Sequence, residues 1–137
     1  AETGLFDTLA HPDLVKNEAP DAWEFNRIRP FIERALDRIA RTGVAMEINT
    51  SGLNKALPEM NPGPLMLRMM RERNIPVVIG ADAHRPTRVG DRYEEALTQL
   101  ESAGYHHVSL FLDRQRQDIP IAVARASLRT APQPAAR

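Results

Sequence analysis

The chain has 137 residues, enough for one ordinary domain and too few for two, and its 18 basic and 18 acidic side chains cancel. Neither sign forms a long block, which argues against a nucleic-acid-binding stripe or a patch for anionic membranes. There is no cysteine, which excludes disulfides, thiolate zinc sites and a cysteine nucleophile; a metal would have to be held by His, Asp, Glu or Asn, and the composition is compatible with a cytoplasmic enzyme. The longest nearly apolar stretches, such as 75–83, fall far below the roughly 20 residues that a membrane-spanning helix needs.

The chain opens on Ala1, with no charged-then-apolar signal segment before the first apolar run, and this reads as a truncated or processed start. Apolar runs bounded by turn residues at 5–10, 44–48, 77–81 and 108–112 predict four strands. Between them lie stretches with helical spacing. Phe31, Ile32, Ala35, Leu36 and Ile39 form one face; Leu65, Leu67, Met69 and Met70 belong to a second, more apolar helix; Tyr93, Ala96, Leu97 and Leu100 form a third. Pro30 and Pro64 suit first-turn positions, and Gly43 and Gly104 sit where a helix would end in a left-handed residue. The cadence of strand, helix, strand, helix, strand, helix, strand predicts an α/β fold of parallel βα units. Residues 1–125 read as the folded part, and 126–137, rich in Ala, Pro and Arg, as a mobile tail.

Two connections, 12–29 and 50–63, are long for a compact domain, and both follow the carboxyl ends of predicted strands, where parallel α/β folds place their ligands. Three groups of polar residues lie at these ends. His11 closes the first strand, in the run Ala10-His11-Pro12-Asp13-Leu14, although a lone histidine there is more often structural. Glu47 and Asn49, in Met46-Glu47-Ile48-Asn49-Thr50-Ser51-Gly52, share one face of the second strand. They could ligate metal, orient a ligand histidine or bind substrate, or form a plain polar strand end. Asp82 and His84, two apart after the third strand, can converge on one ion, Zn, Mn or Fe by donor type; otherwise Asp82 caps a turn and His84 is merely exposed. All three groups fall at the same end of successive strands. Basic residues follow each, Lys16, then Lys55, then Arg85 and Arg88, and could hold an anionic substrate, phosphate especially. His106 and His107 precede the last strand and fall at the opposite end, outside the site.

These motifs resemble the polymerase and histidinol phosphatase (PHP) superfamily, most closely its histidinol-phosphatase type, over roughly residues 5–121, through Ala10-His11-Pro12-Asp13-Leu14, Glu47-Ile48-Asn49-Thr50-Ser51-Gly52-Leu53 and Asp82-Ala83-His84. The resemblance implies the C-terminal half of a distorted (β/α)7 barrel, with two or three divalent metal ions at the carboxyl ends of the strands and phosphate-ester hydrolysis as the reaction. It matches His11, Asp82 and His84 to metal ligands, Asp82 and His84 being the closing Asp-x-His pair, and it matches Glu47 and Asn49 to a motif lining the pocket. The family's opening His-x-His strand and its following ligands have no counterpart here, which makes the chain resemble the last half of such a barrel.

The expected activity of an intact protein is therefore metal-dependent hydrolysis of a small phosphate monoester of the histidinol-phosphate type, with Asp82 and His84 at the reacting centre and Glu47, Asn49, Lys16, Lys55 and Arg85 around the substrate. A phosphodiesterase or exonuclease of the same superfamily is the enzymatic alternative. The non-enzymatic one is a folded remnant that binds metal or anion and pairs with a missing N-terminal half. Unpaired sheet edges of a half barrel would favour association with that half or with a second copy. No membrane partner is expected, and a nucleic-acid partner is disfavoured.

Overall fold

A computed structural model of the protein describes residues 1–130. Its centre is a parallel sheet of three strands, β1 (Thr8–Leu9), β2 (Ala45–Asn49) and β3 (Val77–Gly80), in that spatial order. The register pairs Leu9 with Met46 and Met46 with Val77, so that Asn49 lies opposite Gly80 and the carboxyl ends align. Residues 5–7, expected to start the first strand, lie outside the assigned strand, yet the Asp7 carbonyl still accepts from Ala45 N at 3.0 Å. β2 is buried at Ala45, Met46, Ile48 and Asn49, as befits a central strand covered on both faces.

The crossovers are helical. α1 (Phe25–Ala40) starts earlier than the sequence predicts and carries Pro30 in its interior, where the missing N–H and the ring cost a helical bond on the exposed side. Of the predicted face, Ile32, Leu36 and Ile39 turn inward, joined by Phe25, while Ala35 and Phe31 do not; Phe31 is 65% exposed, with the Arg34 guanidinium 4.8 Å above its ring. α2 (Pro64–Glu72) begins on Pro64, as its fixed φ favours, and buries Met66, Leu67, Met69 and Met70. α3 (Tyr93–Ser102) buries Ala96, Leu97 and Leu100 and stops at Gly104, whose φ of +90° needs a residue without a side chain. Tyr105 locks this corner by donating its buried hydroxyl to the Ile75 carbonyl at 3.0 Å, and burial pushes its phenol well above the ordinary range.

Beyond α3 the parallel cadence breaks. β4 (His107–Leu112) pairs antiparallel with β5 (Gln115–Pro120) as a separate two-stranded sheet; β4 lies beside β3 without joining its ladder. The turn residues Asp113 and Arg114 have φ of 50° and 62°, the twist that a two-residue hairpin loop requires. Arg114 is held by Asp7 Oδ1 at 3.1 Å and by the Gly4 carbonyl at 3.0 Å. β5 escaped sequence reading because Gln115, Arg116, Gln117 and Asp118 give it no apolar run. α4 (Ile121–Thr130) follows, with Ile121, Ala124 and Leu128 against the core and Arg125 forked between Glu94 and Glu101 of α3, so the expected tail boundary at residue 126 falls inside a helix. The rest of that expected tail, 131–137, lies outside the described residues. No helix among the described residues is long and apolar enough to cross a membrane.

Leu100 has no exposed surface in this core, so Leu100→Ala should cost about 2–5 kcal/mol of unfolding free energy, read as a lower midpoint in urea with an unchanged slope.

Candidate functional site

The three predicted groups do fall at one end of the sheet, and the chain turns sharply at two of them. His11 has φ of 25° and Asp82 of 46°, left-handed values that non-glycine residues keep only where the surroundings hold them. At His11 the holding group is Glu47, whose Oε2 accepts from the His11 backbone N at 2.8 Å. The same oxygen accepts from Asn49 Nδ2 at 3.1 Å, which bears out the shared face of Glu47 and Asn49. Asn49 Oδ1 then accepts from Ser51 N at 2.9 Å and from Ser51 Oγ at 2.7 Å, capping the 3-10 turn Thr50–Asn54. Gly80 is the fourth participant: a Cβ there would run into the Glu47 carboxylate, so only glycine lets that side chain lie across β3.

Downstream, a cavity of about 280 Å³ is lined by Ser51, Asn54, Lys55, Asp82, His84, Arg85, Thr87 and Arg88. It unites five of the predicted residues, Lys55, Asp82, His84, Arg85 and Arg88. His11, Glu47 and Asn49 stand behind it at the strand ends rather than in its wall. Arg88 is paired with Asp91 at 2.7 Å, whereas Lys55 and Arg85 form no ion pair among the described residues. Sequence reasoning did not single out Asn54 or Thr87, which have no motif signal of their own. It also placed Tyr93 in helix packing alone. Burial pushes that phenol up, the charge of Glu47 adds to the rise, and its hydroxyl reaches the Ile79 carbonyl at 3.4 Å. A larger groove of about 480 Å³ between α2 and α3 is lined by none of the predicted residues. His106 and His107 lie with Ile75, Pro76 and Val77 at the amino end of β3, opposite the site as expected.

Lys16 is the clear departure. Expected to face substrate, it is fully buried, and its ammonium donates to Asp13 Oδ2 at 3.0 Å, Glu59 Oε2 at 2.9 Å and the Met60 carbonyl at 2.8 Å. All three donors are used, so none is left for a phosphate. Asp13 Oδ2 also accepts from Gly63 N at 2.9 Å. Even so, burial outweighs these bonds and holds the Asp13 carboxyl above the ordinary aspartate range.

His84 is 84% exposed, and its Nδ1 lies 2.8 Å from the Asp82 carbonyl oxygen. A carbonyl can only accept, so Nδ1 carries a proton, and in the neutral ring Nε2 is the nitrogen left to bind a metal. With the Asp82 carboxylate, 38% exposed beside it, this pair fits part of a divalent-metal donor set. Among the described residues, no three His, Asp or Glu side chains converge closely enough to complete one.

Two outcomes test this geometry. Gly80→Ala should displace Glu47, release the His11 amide and destabilise the protein by about 1–3 kcal/mol, with the amide resonances of His11 and Asn49 shifting together. For Asp13, the folded-state pKa lies above the unfolded one, so the folded state binds more protons between the two values and stability falls as pH rises through that window. Denaturation followed upward from about pH 4, the ordinary aspartate range, should therefore show the wild type losing stability relative to Asp13→Asn as pH rises.

Over 120 residues the chain is 37% identical to a "Probable histidinol-phosphatase" of Deinococcus radiodurans, covering 85% of this chain and 43% of that protein. It is 32% identical over 106 residues to a "Probable histidinol-phosphatase" of Thermotoga maritima, covering 77% of this chain and 44% of that protein. It is 35% identical over 71 residues to the "Histidinol-phosphatase" of Bacillus subtilis, covering 51% of this chain and 26% of that protein. No family model matches the chain. Over most of its own length, then, the chain is similar to part of proteins named as histidinol-phosphatases, and it spans less than half the length of each of these relatives.

Proposed function

We propose that this chain forms part of a metal-dependent phosphoesterase of the PHP type, and that the reaction of the intact protein is hydrolysis of a histidinol-phosphate-like monoester. The observation that carries the reading is the 280 Å³ cavity in which the Asp82 and His84 pair meets the cations Lys55 and Arg85, set beside the names of the relatives. On this reading His84 through Nε2, Asp82 through its carboxylate and His11 hold divalent ions such as Zn, Mn or Fe, two or three in the complete site. Such an ion supplies Lewis acidity and lowers the pKa of a water toward neutrality. Lys55 and Arg85 hold the phosphate oxygens and offset the charge that builds up as water oxygen bonds to phosphorus and the alcohol leaves. On the same reading Asp82 accepts the proton released or orients the water. A monoester dianion suits two cations better than a singly charged diester does, which favours a small phosphorylated metabolite over a nucleic acid.

Three firm donors cannot fill a multinuclear site, so the reading makes the 137-residue chain inactive alone, with the remaining ligands supplied by a further part of a barrel in the cytoplasmic protein. That no three donors converge among the described residues favours, as a second reading, a folded unit that binds metal or anion without turnover and pairs with the complementary half.

The test is a chimera in which this chain replaces its 120 matching residues in the Deinococcus relative, assayed beside the 137-residue chain with histidinol phosphate, an aryl phosphate and added Mn or Zn. The chimera should turn over and the chain should not. In the chimera, His84→Ala or Asp82→Asn should abolish turnover, a loss equivalent to several kcal/mol of barrier or about 1000-fold, while His107→Ala should leave it within about twofold. Robust metal-dependent turnover by the chain alone would overturn the partial-site reading. A folded, metal-loaded chimera without activity would overturn the phosphatase reading.

A further inference from the structure

We propose that Lys16 is a positioning residue: its buried ammonium clamps the loop after β2 to the segment after β1, and so sets where Lys55 stands in the phosphate-holding wall of the cavity. The proposal rests on the phosphoesterase reading for the identity of that ligand.

The clamp joins segments far apart in sequence. Asp13 and Lys16 lie just beyond His11; Glu59 and Met60 end the loop that starts at Thr50. Around the ammonium, Gly63 N donates to Asp13 at 2.9 Å and Leu57 N to Asn17 Oδ1 at 3.2 Å. The near end of the loop is tied separately, by Asn49 capping Ser51, and the Asn49 and Asn61 backbones pair in both directions at 2.7 and 3.1 Å. Lys55 therefore sits on a short exposed arch between two anchors, the capped 3-10 turn and the Leu57 to Met60 segment held through Asn17 and Lys16.

Stability does not explain why this anchor is ionic. A buried ion pair recovers little more than its own desolvation, and apolar side chains of similar volume commonly serve as well or better. The arrangement is also unbalanced, two carboxylates to one ammonium. What three directed bonds from one nitrogen supply, and an apolar contact cannot, is a fixed point. Two backbone segments are held at defined distances, one just past His11 and one just past Lys55.

The experiment compares the 137-residue chain with the triple variant Lys16→Met/Asp13→Asn/Glu59→Gln, which removes all three charges and leaves none buried and unpaired. Inorganic phosphate is titrated while the amides of Lys55 and Arg85 are followed by NMR, with hydrogen exchange at residues 55–57 and a thermal melt alongside. The expected result is a cooperative melt like the wild type's, faster exchange at 55–57 and phosphate binding at least about tenfold weaker. In the chimera the same substitutions should lower kcat/KM about tenfold, through a higher KM and a lower kcat, while the melting midpoint stays at the wild-type value, a combination that general destabilisation does not produce. A folded triple variant with wild-type exchange and phosphate affinity within twofold overturns the proposal. Should the triple variant not fold, Glu59→Gln alone, at a side chain 38% exposed, must show the same direction in exchange and affinity, and unchanged values there overturn it too. If the wild-type chain binds no phosphate, the pocket reading has failed, and the exchange at 55–57 still decides whether Lys16 positions the loop.

Discussion

Everything at the carboxyl end of the sheet depends on the Glu47 carboxylate. It sits in the central strand, accepts from the His11 amide on one side and crosses Gly80 on the other, and Asn49 braces it from its own strand. Hydrogen bonds to a charged acceptor contribute roughly 1.5–3 kcal/mol each, more than neutral ones. They offset the backbone strain at His11, which costs about 1–3 kcal/mol. Without that bond, no other hydrogen bond of the His11 backbone N–H would keep the chain turning left-handed into Pro12, and the segment leading to Asp13 and Lys16 would leave β1 in another direction. A carboxylate that from sequence could ligate metal, orient a ligand histidine, bind substrate or simply end a strand also ties the ends of β1 and β2 together across β3 in the fold.

The charges divide into those already matched and those left over. Arg29 with Glu33, Arg38 with Glu2, Arg73 with Asp37, Arg92 with Glu95 and Arg125 with Glu94 and Glu101 are local or surface pairs, worth little to stability. They do, however, cancel charge where they stand. Lys55 and Arg85 have no such partner among the described residues, so their field acts on the cavity they line. A net charge of zero over the chain is thus compatible with a locally cationic pocket, which composition could not reveal.

What was legible in the sequence follows the range of the interaction. β2, β3, α2 and α3 are specified by local periodicity and by Pro64, Gly43 and Gly104, and they appear where the pattern puts them. The common end of His11, Glu47 and Asp82 follows from parallel topology, which the βα cadence implies. Lys16 was misread because its burial is set by Glu59, 43 positions away, and nothing near it in sequence distinguishes a clamped lysine from a solvated one. The hairpin was missed for the opposite reason: β5 is polar, held by its turn and its ladder rather than by burial of its own. α4 has apolar spacing at 121, 124 and 128, but the Ala, Pro and Arg bias of the residues after it masked that signal.

β1 and β3 are the edge strands of the parallel sheet, and their surroundings bear on what could cover them. β1 is two residues long and offers little ladder for strand addition, while the far side of β3 is flanked by β4, whose own hydrogen bonds go to β5. Short edges and covering hairpins are the usual means of blunting strand-to-strand association. Apolar surface is another matter. Leu110 and Leu112 on β4 are 39% and 58% exposed, and Arg114 brings the hairpin tip to Gly4 and Asp7, next to Leu5 and Phe6 at 74% and 46%. Since the edge strand β1 is short and these side chains are exposed, whatever packs against this side would be held mainly by buried apolar area, with few new backbone hydrogen bonds.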